Sequence, residues 1–177
     1  MTVSADVREL VRQNAIGACE YCGITEIDSG GLLTVDHICP VSKGGLDTID
    51  NLVYCCYRCN QYKAAYWSHS PDATELWNPR FEPARHPFLE LADGTLHAVT
   101  QIGSITIDRL RLNRPELVAH RLRKRLDETL RSCLRQRDAL LESIVKKLEE
   151  QVTQMHEQRK LMREQNRLLK ILRRRKP

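Results

Sequence analysis

The chain has 177 residues, 41% of them hydrophobic and 29% charged, enough for one ordinary domain plus an appendage and unlike a disordered polymer or a membrane protein. No run of about 18 apolar residues occurs, which excludes a spanning helix. Charges at Asp6, Arg8 and Glu9 stand where a secretory leader would be apolar, so a cytoplasmic protein is expected. The net charge of +5 divides unevenly: residues 1–115 hold 10 Lys and Arg against 14 Asp and Glu, residues 116–177 hold 18 against 9, and all nine aromatics lie at or before Phe88.

In chain order, Ser4 to Ile16 sets Val7, Leu10 and Val11 at helical spacing, and Gly17 ends the segment. Leu32–Val35 reads as a strand leading into Asp36-His37-Ile38. Ser42-Lys43-Gly44-Gly45 is a loop, and Asn51–Tyr54 is a second short extended stretch. Arg58 to Trp67 reads as a short helix. Residues 68–88 carry Pro71, Pro79, Pro83 and Pro87, and are irregular unless Trp77, Phe81 and Phe88 anchor them. Asp93-Gly94 predicts a hairpin between Phe88–Leu91 and Leu96–Thr100. A helix is expected to start near Ile105, and another at Pro115.

From Glu116 to Lys176 there is neither Gly nor Pro, and a continuous helix of that length would span roughly 90 Å at 1.5 Å per residue. Val145, Leu148, Val152, Met155, Met162 and Leu169 follow a coiled-coil-like heptad seam, with Arg159 and Asn166 as its polar members. Such a stripe needs a partner helix. Three regions follow: 1–67, 68–115 and 116–177.

Seven cysteines is an odd number, and Cys19, Cys22, Cys56 and Cys59 form C-x2-C-x33-C-x2-C. Paired C-x-x-C loops set four thiolates for one tetrahedral zinc, and such a site supplies folding energy to a segment with little core. Cys55 competes with Cys56, but Cys56 alone keeps the spacing to Cys59. Cys39 and Cys133 lack partner spacing.

Between the cysteine pairs lie Asp36-His37 and Asn51, and Asn60 follows the last cysteine. The stretch CEYC…LTVDHICPVSKGGLDTIDNLVYCCYRCNQYK closely resembles the HNH endonucleases with a zinc-stapled ββα-metal core. Trp77-Asn78-Pro79-Arg80, Asp93-Gly94-Thr95 and Leu110 to Arg114 resemble the segment that follows this core in stand-alone bacterial members, although the usual Gly-Arg before Thr is replaced at Gly103-Ser104. The resemblance implies an α+β fold: a small ββα core, a hairpin extension and, outside the resemblance, the long helix. It implies metal-dependent hydrolysis of DNA. His37 would take a proton from water, and Asp36 and Asn60 would offer oxygens to one Mg²⁺ or Mn²⁺. Asn51 would hold the backbone near His37, and Lys43, Arg58 and Lys63 are candidate phosphate contacts. The alternative is a zinc-stapled nucleic-acid-binding or adaptor module without catalysis.

The acidic first part would meet a polyanion, so the basic tail is expected to help. Its densest clusters are Arg121-Leu122-Arg123-Lys124-Arg125 and Arg173-Arg174-Arg175-Lys176. The long helix is then either a homo-oligomer seam or a docking arm for a larger partner in an antiviral or mobile-element system.

Overall fold

A computed structural model of the protein describes residues 3–68 and 75–174, the side chains of 171–174 excepted. Pro71, and the basic cluster at 173–176, fall outside those residues or side chains. The fold is α+β. Its elements are α1 (Ala5–Asn14), α2 (Glu26–Ser29), β1 (Thr34–His37), β2 (Leu52–Cys55), α3 (Tyr57–Lys63), β3 (Phe88–Glu90), β4 (Leu96–Ala98), α4 (Gln101–Leu110) and α5 (Pro115–Arg174). Two compact units result, one up to Lys124 and one from Arg125.

In the first unit Ser4 caps α1, its side chain accepting from Val7 N. Val11 is buried and Val7 packs on the core, whereas Leu10 is 45% exposed, off the face expected of it. Arg12 ties α1 to α2 through a bidentate pair with Glu26 at 2.6 and 2.8 Å. The first strand begins two residues later than expected. Leu32 is exposed, and Leu33 N donates to the Tyr54 hydroxyl at 2.9 Å, so that backbone is spent on a side chain before the ladder starts.

β1 and β2 pair antiparallel, with Asp36 opposite Val53 and His37 opposite Leu52. All four β2 residues are buried. α3 packs on β1, completing a ββα unit. It is shorter than expected, because Ala64 at φ 50° and ψ −142° takes the chain out of helical space.

The extension belongs to the same unit. Trp77 is buried, packs edge-on against Phe88 (5.2 Å between ring centroids) and Tyr21 (6.4 Å), and donates Nε1–H to Glu82 O. Arg80 clamps the Leu52 carbonyl at 2.7 and 2.9 Å and pairs with Glu20. Phe81, expected as an anchor, is 76% exposed.

β3 and β4 form the hairpin that Asp93-Gly94 predicts, with Gly94 at φ +83° and Asp93 Oδ1 accepting from Thr95. Asn113 pins it, accepting from Leu96 N and donating to Leu96 O. α4 begins at Gln101, earlier than expected, because Thr100 caps it through Gly103 N. Gly103 lies inside the helix, where a Cβ would meet the Pro87 carbonyl oxygen at 2.2 Å; glycine is there for close packing.

The start of α5 belongs to this unit. Leu117 is fully buried, and Arg121 donates to the carbonyls of Gly94 (2.6 Å) and Leu112 (2.9 Å). Arg121 is therefore a buried tie and leaves the basic cluster expected to face a polyanion. From Arg125 the second unit is helix, with Val145, Leu148, Val152, Met155, Met162 and Leu169 all exposed. No helix among the described residues is long and apolar enough to cross a membrane.

Candidate metal centres and nuclease site

The chain hairpin at Cys19–Cys22 and the β2–α3 junction bring two C-x-x-C loops together. Their four sulfurs lie within 4.8 Å of one another, and Cys22 and Cys56 Sγ are 3.7 Å apart. Zinc bound to sulfur at about 2.3 Å in a tetrahedron requires sulfurs about 3.8 Å apart, so the cluster fits a zinc site. Cys56 rather than Cys55 completes it. Cys55 points to Thr34 Oγ1, and burial pushes its thiol well up. Cys56 is driven far below the ordinary thiol range, first by its hydrogen bond with Cys19 and then by those with Cys22 and Cys59. Arg114, just ahead of α5, sets its guanidinium 3.9 and 3.8 Å from the sulfurs of Cys56 and Cys59. A fixed cation there favours thiolates.

Thr34 and Asp36, two apart on β1, share a face, and that face meets α3. Asn60 Nδ2 lies 3.5 Å from Thr34 Oγ1, and Lys63 Nζ lies 3.0 Å from Asp36 Oδ2. That separation is an ion pair without hydrogen-bond geometry, and Asp36 Oδ2 is buried with no hydrogen bond. Lys63 Nζ also donates to His37 O at 2.6 Å.

His37 follows at the strand end. Its Nε2 is 2.6 Å from Asp47 Oδ1. An ionised carboxylate only accepts, so Nε2 is the donor, and in the neutral ring Nδ1 keeps its lone pair. Among the described residues no hydrogen bond joins the ring to Asp36 or Asn60. Asn51 spans the intervening loop: it accepts from Cys39 N at 2.8 Å and donates to Cys39 O and Leu46 O at 3.1 and 2.8 Å.

That loop closes only around a glycine. A Cβ on Gly45 would sit 1.8 Å from Cys39 O and 2.9 Å from Asn51 Nδ2. Gly45→Ala is expected to open the loop and release Asp47 from His37. Thermal denaturation should show a loss of about 1–3 kcal/mol, the usual cost of overpacking; unchanged stability would refute the crowding.

Comparison with known proteins bears on this same segment. Residues 19–65 match the family model of the HNH endonucleases. This segment is an HNH endonuclease domain. The chain is also 37% identical over 59 residues to the type IV methyl-directed restriction enzyme EcoKMcrA of Escherichia coli (strain K12), a match over 31% of this chain and 21% of that enzyme. The chain thus spans about a fifth of that relative's length. No solved structure matches the chain significantly.

Within the HNH domain, three expected phosphate contacts part ways. Lys43 and Arg58 are exposed. Lys63 is 1% exposed, and its ammonium is spent on Asp36 and the His37 carbonyl, so it is not available to a phosphate. Sequence reasoning did not single out Asp47, ten residues from His37. It also missed a role for Arg114, although the Leu-x-Leu-Asn-Arg element contains it.

Proposed function

We propose that the protein is a metal-dependent DNA endonuclease that hydrolyses phosphodiester bonds with His37 as general base. The observation that carries the reading is the Asp47–His37 hydrogen bond, which orients the ring and leaves Nδ1 to take a proton. Water loses its proton to Nδ1, its oxygen bonds to phosphorus, and the bond to the 3′ oxygen breaks. Asn51 holds the loop that carries Asp47, and so positions the base indirectly. Asp36 and the Asn60 amide are oxygen donors suited to a hard cation, and Asp36 Oδ2, ion-paired with Lys63 at 3.0 Å, would be shared between that ammonium and the cation. A bound Mg²⁺ or Mn²⁺ would stabilise charge on the leaving oxygen. Lys43 and Arg58, both exposed, would meet neighbouring phosphates.

The purified protein should nick supercoiled plasmid DNA when Mg²⁺ or Mn²⁺ is added. Failure to nick with any divalent ion would overturn the reading. The likeness to a restriction enzyme supports a role in antiviral defence.

The second unit fits a seam between two copies of this chain. Its exposed apolar stripe has heptad spacing, and an Asn at one core position is a known register-setting device. Light scattering should give twice the 20.5 kDa chain mass. A monomer at micromolar concentration would rule the pairing out.

A further inference from the structure

α3 presents Asn60 and Lys63 to the proposed nuclease site. Gln61, Tyr62 and Ala64 line a separate cleft of about 600 Å³, together with Tyr66, Ile105, Asp108, Arg109 and Arg111. It is shallow and largely open to solvent, so a ligand would lie across it rather than be enclosed. Two guanidinium–ring pairs line the cleft. The Arg109 guanidinium lies 5.1 Å from the Tyr66 ring centroid, and that of Arg111 lies 4.9 Å from Tyr62. Arg109 is further fixed by donating to Lys63 O at 3.2 Å. Both arginines are exposed, so each has charge left to offer.

The backbone is constrained at the same place. Ala64 (φ 50°) and Arg111 (φ 48°) are two of the three non-glycine residues with positive φ among those described, and both line this cleft. Arg111 is the left-handed cap that ends α4, and Ala64, with ψ −142°, holds a conformation that non-glycine residues rarely adopt.

The geometry points to a binding site for single-stranded nucleic acid. One or two unstacked bases lie against the Tyr–Arg planes, and Arg109 and Arg111 meet the adjoining phosphates. Rings and guanidinium planes accept any base face, and Gln61 and Asp108 offer hydrogen bonds to base edges. A duplex keeps its bases stacked and cannot use the rings. The inference rests on the proposed nuclease role only for the class of ligand. Its test therefore reads binding, without added Mg²⁺ or Mn²⁺, so that absence of cleavage does not bear on it.

Fluorescence anisotropy with the full chain would compare a labelled 12-nucleotide DNA strand, the same strand with central abasic sites, and its duplex. The wild type should bind the intact strand about tenfold tighter than the abasic one, and Tyr66→Leu should erase that difference. Arg109→Gln with Arg111→Gln, both at exposed positions, should flatten the salt dependence by about 0.7 log units per log salt for each arginine. This pair decides the matter if the tyrosine variant does not fold. Equal affinity for intact and abasic strands overturns the inference. So does wild-type salt dependence in the arginine variant, or an equal loss of duplex binding.

Discussion

Replacing His37 by alanine is expected to slow DNA cleavage roughly 10²- to 10⁴-fold, the range a positioned general base contributes. The ring is partly exposed at a strand end, and its hydrogen-bond partner is the Asp47 carboxylate. Its removal therefore leaves the buried β2 strand and the thiolate cluster in place. The loss should fall on kcat and not on KM, because the base acts in the transition state. Asp47→Asn makes the instructive comparison. An amide can donate as well as accept, so the ring is no longer held to one tautomer, and an intermediate loss is expected. Circular dichroism would confirm that both variants fold. A His37→Ala protein that cleaves at the wild-type rate would remove the mechanism.

Withdrawing zinc is expected to unfold the HNH domain altogether. Structural zinc contributes about 10–16 kcal/mol of apparent binding energy at neutral pH, against a typical domain stability of about 5–15 kcal/mol. Here the balance is especially one-sided. β1 and β2 are four residues each in a two-stranded sheet, an arrangement marginal on its own. Cys59 and Cys19 are buried, so without a cation their thiolate charge would be left uncompensated in the core. A strong chelator should abolish the near-ultraviolet signal of Trp77 and Tyr21, and Cys59→Ser should reproduce the loss. Chelating Mg²⁺ alone should stop cleavage and leave the signal intact. A zinc-free chain, verified by metal analysis, that keeps its tertiary signal would defeat this account.

The parts of this site legible beforehand are those with a local rule. C-x-x-C spacing singles out four of seven cysteines, and the spacing to Cys59 chooses Cys56 over its neighbour. Asp93-Gly94 predicts a hairpin because the turn demands positive φ. What stays hidden depends on three-dimensional closure. Asp47 reaches His37 only because Gly45 lets the loop pass against Cys39 and Asn51 ties it there. Lys63 reads as a surface charge, since lysine is almost never fully buried without a partner. Its partners, Asp36 and the His37 carbonyl, lie at least 26 residues upstream on another element. Leu10 and Phe81 depart from their expected burial for the same reason: spacing and residue type do not say which neighbour arrives.

Arg114 carries a consequence of its own. One side chain balances the charge of the sulfur cluster, stacks 5.7 Å from the Tyr62 ring and reaches back to the Leu110 and Arg111 carbonyls. It does so one residue before Pro115 opens the final helix. Knuckle, cleft wall and helix origin therefore share a single cross-brace, and loosening any one of the three is felt by the other two.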